Sequence, residues 1–215
     1  MEVLFEYLKP IKILVLLTLL YALICLKWKN STHSYLIIIL IICFVTELTN
    51  CILIVKHESI GLAVTISVIC HHTVWLLLLS NNSNIKNLSR IAIMVFLLFA
   101  IINLFYLEGT KSFNYLTFVL GAFIYILCFI YHSIYELRHE NLPLFLSNKY
   151  LLTFAPVIFF FGMSFMFAFK SKNITSTMLL PHIKLYDFVI YYVNIIYYVL
   201  VNLYIYRDKT TRNTA

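Results

Sequence analysis

At 215 residues, 62% hydrophobic and 12% charged, the chain carries about half the charged fraction usual for a soluble domain. A soluble fold cannot hide that much apolar surface, and no connection between the apolar runs could hold a separate catalytic or nucleic-acid-binding domain. The net charge of +7 is scattered among run ends and forms no block, so it reads as membrane flanking and excludes a nucleic-acid footprint.

The stretch MEVLFEYLKP carries Glu2 and Glu6 where a signal peptide would be basic, so the first apolar run is expected to stay attached. Each crossing of about 30 Å of hydrocarbon needs about 20 helical residues, and seven runs approach that length. They are Ile11 to Leu26, Ser34 to Val55, Ile60 to Leu79, Ile91 to Leu107, Phe113 to Leu137, Tyr150 to Phe169 and Ile183 to Tyr206. The expected fold is therefore all-α, a seven-transmembrane-helix bundle forming one domain over residues 1–215, in a lipid bilayer.

Pro10 suits the first turn of a helix, and Lys27 to His33 separate the first two runs. SNNSNIKNLSR, Ser80 to Arg90, reads as a polar turn. The fifth run is long and is expected to project past the bilayer at its Glu136/Arg138 end. Leu142, Leu144, Phe145 and Leu146 fit an interfacial segment. In the sixth run Pro156 predicts a kink, and Ser164 with Ala168 forms a small-xxx-small pair suited to close helix contact. No internal repeat points to inverted transporter halves.

Basic residues on alternate sides set orientation. The N-terminal side holds seven, including Lys9, Lys12, Lys170 and Lys172, and the other side nine, including every arginine. This favours the N-terminus out, the C-terminus in, and a multi-pass location in the cell inner membrane.

The second run contains CFVTELTNC, Cys43 to Cys51. It places Glu47 where lipid would otherwise be, and a charge there costs roughly 2.5–3.5 kcal/mol on insertion scales. At about 100° per residue, Cys43, Glu47, Asn50 and Cys51 share one helix side, so Glu47 and Asn50 can face a bundle interior together. In the seventh run Asp187, Tyr191, Asn194, Tyr198 and Asn202 form a polar stripe. Asn103 ends the fourth run, Asn114 and Tyr115 begin the fifth, and His71 and His72 lie mid-way along the third, with Ser67 and Trp75 on the face of His71. Candidate ligand-binding or proton-linked residues are thus Glu47, Asn50, His71, Asn103, Tyr115, Asp187, Tyr191 and Asn194, at similar depth in the outer half. For single residues such as Asn103, Asn114 or Asn202, interhelical hydrogen bonding worth about 0.6–2 kcal/mol per group is the preferred reading.

Adjacent His71 and His72 do not supply the spaced ligands of a zinc hydrolase, and Cys25, Cys43, Cys51, Cys70 and Cys128 show no metal or disulfide spacing. No metal or cofactor is expected. The His-x-x-x-His pair of seven-helix ceramidase-like hydrolases is missing from the last run, as is a mid-run lysine for retinal. GxSxG, HExxH and phosphate-binding glycine loops do not occur.

ELTN in the second run, AIINLFYLEG in the fourth, SFNYLTFVLGAFIYILCFIYHSIYEL in the fifth and YYVNIIYYVLVNLYIY in the seventh together resemble an uncharacterised family of small seven-helix integral membrane proteins of Bacteroidetes-type bacteria. The resemblance covers nearly the whole chain. It implies a link to sensor kinases, which neighbour such genes, and carries over no catalytic residues. Where that family tends to have an Ile-Glu-Phe-like stretch, this chain has HHTVWLL. The expected function is a membrane sensor or receptor-like subunit, with a small-molecule ligand and a membrane or sensor-kinase partner. The alternatives are an intramembrane enzyme acting on lipid, with Glu47 as general base, and a channel, transporter or effector subunit.

Overall fold

The computed structural model describes residues 9–82, 85–168, 177–180 and 183–213. Glu2 and Glu6, Lys170 and Lys172 of the orientation count, Phe169 and His182 lie outside the described residues.

Helix α1 spans Pro10–Cys25, with Pro10 in the first turn, where its missing N–H leaves no hydrogen bond unmade. The next helix, α2, spans Ser31–Val55, and Asn30 caps it by accepting from the Thr32 N–H at 3.0 Å. Then come α3, Gly61–Asn82, and α4, Lys86–Ile102, which passes into a π-helical turn at Asn103–Leu107. Helix α5 is Tyr115–Arg138, α6 is the short Leu142–Phe145, and α7 is Asn148–Ala168, continuous through the buried Pro156. Strands β1, Met178–Leu180, and β2, Ile183–Lys184, form a small antiparallel pair before α8, Leu185–Asn213. Six of these helices, α2, α3, α4, α5, α7 and α8, are long and apolar enough to cross a membrane, and α1 is a shorter apolar helix. The chain is a helical, multi-pass membrane protein.

The expected boundaries differ from the observed ones where polar residues continue a helix. The Ser80 to Arg90 turn contracts, because α3 runs on to Asn82 and α4 begins at Lys86. Those extra residues bind α2: Thr32 Oγ1 donates to Asn82 Oδ1 at 2.8 Å, and Asn81 Nδ2 donates to Ser31 Oγ at 3.0 Å. Likewise α8 continues past Tyr206, its Thr210 and Thr211 hydroxyls donating to the carbonyls of Tyr206 and Arg207.

The helices close a ring. α1 packs on α2, α2 on α3, α5 on α7, α7 on α8, and α8 back on α1. α3 also meets α4, α5 and α7, so it is the most central element. Two corrections concern α5 and α7. Glu136 is not an exposed helix-end charge: it is buried, accepts from Asn141 Nδ2 at 2.6 Å, and lies 3.7 Å from His132 Nδ1. Ala168 is exposed, and the tight place in the α7–α8 seam is Gly162, where a Cβ would come within 2.5 Å of Val193 Cγ2.

Candidate functional site

One end of the bundle gathers the starts of α1, α3, α5 and α8 and the ends of α2, α4 and α7. Ser59 Oγ donates to the Lys111 carbonyl at 3.2 Å, the Asn114 N–H donates to Thr65 Oγ1 at 3.1 Å, and Lys12 meets Cys51. A cavity of about 290 Å³ lies inside this end. Its polar wall includes Thr46, Glu47, Asn50, Ser67, His71 and Asn194, and its apolar wall is mostly Phe113, Phe118, Phe159, Met163 and Phe167. Tyr198 closes part of the lining and is buried.

Two helix faces create the polar wall. On α2, Cys43, Thr46, Glu47 and Asn50 line the cavity, as the shared side of that helix requires, whereas Cys51 lies beneath it in the α1–α2 seam. On α3, Val64, Ser67, Val68 and His71 are spaced at three and four residues and line it together. Thr46 Oγ1 donates to the Ile42 carbonyl at 2.7 Å and also contacts Ser67 Oγ, joining the two faces.

Glu47 has a counter-charge that hydropathy reading overlooked. Lys12 Nζ lies 3.8 Å from Glu47 Oε2 and 3.1 Å from Cys51 Sγ, and Lys12 is buried. A lysine near the end of an apolar run looks the same as a snorkelling membrane flank. Its one distinguishing signal is position: it is three residues into α1 and faces the side of Val15 and Leu19, which are buried.

The two histidines have different surroundings. Trp75 Nε1 donates to His71 Nε2 at 3.2 Å. Because the indole N–H can only donate, Nε2 is the accepting nitrogen and the ring proton of His71 sits on Nδ1. His72 instead hydrogen-bonds through Nδ1 to the Val68 carbonyl at 2.9 Å and stacks on Phe160 with ring centroids 4.4 Å apart. Gly121 makes room for it, since a Cβ there would be 2.6 Å from His72 Cδ2 and from Phe96 Cε2. His72 is a packed core residue and does not line the cavity.

Of the eight candidates, Glu47, Asn50, His71 and Asn194 come together in the cavity. The other four are elsewhere. Asn103 is buried at the α4–α5 junction, donating to Glu108 Oε2 at 2.6 Å and to Thr117 Oγ1 at 2.8 Å. Tyr115 packs edge-on against Phe113 and Phe167, outside the cavity lining. Asp187 and Tyr191 are exposed. The α8 stripe is therefore divided: Asn194 and Tyr198 reach the cavity, while Asn202 donates to Thr18 Oγ1 at 2.8 Å and ties α8 to α1.

Among the described residues no group of three or more His, Cys, Asp or Glu side chains could hold a metal ion. The fold and the site define a class: a polytopic helical membrane protein with a mostly apolar cavity, polar along one wall, at one end of the bundle. Comparison of the chain with protein-family models, with curated proteins and with solved structures gave no match.

Proposed function

We propose that this is a seven-span receptor-like subunit of the inner membrane, N-terminus out and C-terminus in, whose outer-half cavity binds a small molecule. A membrane partner, a sensor kinase being the kind the family resemblance implies, reads the helix arrangement at the inner face.

The observation that carries this reading is the distribution of the cavity wall. Residues from α1, α2, α3, α7 and α8 line it, together with Phe113 just before α5 and Phe118 in its first turn. A ligand there touches most of the ring at once, so an occupied and an empty cavity favour different helix spacings to the extent that their contacts differ. Glu47 and Lys12 give the site a charged pair whose geometry such a shift would alter.

The test uses spin labels at Leu137 and Tyr206, both exposed and both near the end of the bundle remote from the cavity. Their separation is measured in protein extracted from its native membranes, before and after small molecules are stripped by extensive detergent exchange. The reading predicts a change in the distance distribution. An identical distribution, with a small molecule demonstrably removed, contradicts a signalling role.

A further inference from the structure

The hydrogen-bonding groups of the cavity have fixed senses, and these senses define a ligand class. This rests on the cavity being the ligand site proposed above and adds what the ligand must be.

Thr46 gives its single hydroxyl hydrogen to the Ile42 carbonyl. Its contact with Ser67 therefore requires Ser67 to donate to Thr46 Oγ1. Ser67 then offers the cavity lone pairs only. One turn along the same face of α3, His71 has the reverse constraint. Its Nε2 is taken by Trp75, so its Nδ1–H remains as a donor and has no acceptor among the described residues. Residues four apart on a helix are neighbours, so the wall presents a fixed acceptor beside a fixed donor.

Charge accounting gives the second constraint. Glu47 and Lys12 form a pair of net charge zero at the polar wall. An ion entering beside this pair meets opposite charges already in contact at 3.8 Å and would have to compete with that contact. Each ion satisfies only one of the two α3 groups: an ammonium can donate to Ser67 Oγ but cannot accept from the His71 N–H, and a carboxylate can accept from the His71 N–H but finds no donor at Ser67.

We infer that the cavity takes an uncharged, hydroxyl-bearing amphiphile, its O–H donating to Ser67 Oγ, its oxygen accepting from His71 Nδ1–H, and its apolar body lying against Phe113, Phe118, Phe159, Met163 and Phe167. A hydroxyl is the simplest single group that donates and accepts at one atom. Asn50, whose Oδ1 is buried without a partner, and Asn194, whose Nδ2 donates to the Ile190 carbonyl at 2.9 Å, leave further amide capacity for a second polar group on the same ligand.

Two matched sets of probes test this on the full chain in nanodiscs. One set is tryptophol, tryptamine and indole-3-propionate; the other is 2-phenylethanol, 2-phenylethylamine and 3-phenylpropionate. Binding is read by equilibrium dialysis and by thermal stabilisation. The alcohol of at least one set is expected to bind tenfold or more tighter than both of its ions, and Ser67→Ala is expected to remove most of that advantage. Two further variants move the charge balance: Glu47→Gln removes the negative charge and shifts preference towards the carboxylates, whereas Lys12→Met removes the positive charge and shifts it towards the amines. Melting and monodispersity confirm that each variant is folded, and either one suffices for this arm. An ion that binds the wild type as tightly as its alcohol overturns the ligand class while leaving the receptor reading intact. So does an ionic molecule without a hydroxyl retained from the native membrane. No binding by either alcohol, together with an empty cavity in protein from native membranes, removes both readings.

Discussion

Lys12 is the residue on which the chemistry of the cavity depends. It holds an opposite charge 3.8 Å from the half-buried carboxylate of Glu47, and the sulfur of Cys51 takes one of its hydrogens. Removing either partner deprives the other charge of this contact, whereas removing both leaves no charge behind. Lys12→Met and Glu47→Gln are each expected to lower stability, and the double variant is expected to recover part of the loss. A coupling energy of roughly 1–3 kcal/mol in a double-mutant cycle is the expected size for such contacting groups. Additive losses in thermal or denaturant unfolding would show that the two side chains do not act as a pair. At this scale the sequence was partly legible. The common face of Glu47 and Asn50 follows from helical spacing, and both line the cavity. Lys12 was not legible, because hydropathy treats every lysine near a run end alike. Neither was the division between His71 and His72, which depends on Trp75 for one and on Phe160 and Gly121 for the other.

Among the elements, α3 and α5 meet most intimately where His72 lies over Gly121. A methyl group at Gly121 would overlap His72 and Phe96, both held by neighbouring rings. Gly121→Ala should therefore destabilise the bundle by about 1–3 kcal/mol, as overpacking does. An unchanged melting temperature would mean that the α3–α5 seam is looser than described. The junction between α4 and α5 has a different device. Glu108 Oε2 accepts from Asn103 Nδ2 in the π-helical turn and from the Leu116 N–H in the first turn of α5, at 2.6 and 3.1 Å. It thus satisfies one of the orphan donors at the start of a helix. Glu108→Ala should cost about 0.5–2 kcal/mol, in the range of a lost N-cap, and hydrogen exchange at Leu116 and Thr117 should quicken first. Equal protection of these amides in wild type and variant would contradict that role. Element existence was legible from hydropathy, and the core of each expected run is helical. Ends were not, since Asn81, Asn82 and Thr210 prolong helices through side-chain bonds that no apolarity scale registers. The stripe on α8 was legible as a stripe, but its division among cavity, α1 and solvent depends on which neighbours α8 acquires.

For the whole molecule, ring closure by α8 against α1 brings the first and last helices together. Asn202 donates to Thr18, and at the end away from the cavity His33 Nε2 lies 3.3 Å from Asp208 Oδ1. That end therefore has polar locks of its own, where the sequence suggested little beyond Tyr198, Asn202 and His132. Helix α1 has sixteen residues, about 24 Å at 1.5 Å per residue. It is shorter than the other six, so the seven-span reading depends on α1 crossing. A cytoplasm-only fluorescent reporter fused after Ala215 should fluoresce if the C-terminus is inside, and a single cysteine at Lys56, in a background with the native cysteines replaced, should react with an impermeant reagent added from outside. A dark but expressed fusion, or a label that reaches Lys56 only in opened cells, would invert the assignment.

The central claim is that the cavity beside Glu47 holds a small molecule. Native mass spectrometry of protein extracted gently from its own membranes, compared with Glu47→Gln prepared identically, tests it most directly. The account predicts a defined adduct on the wild type that is lost or greatly reduced in the variant. The same unliganded mass for both, with equal thermal stability, would contradict it and leave Glu47 and Lys12 as a structural pair.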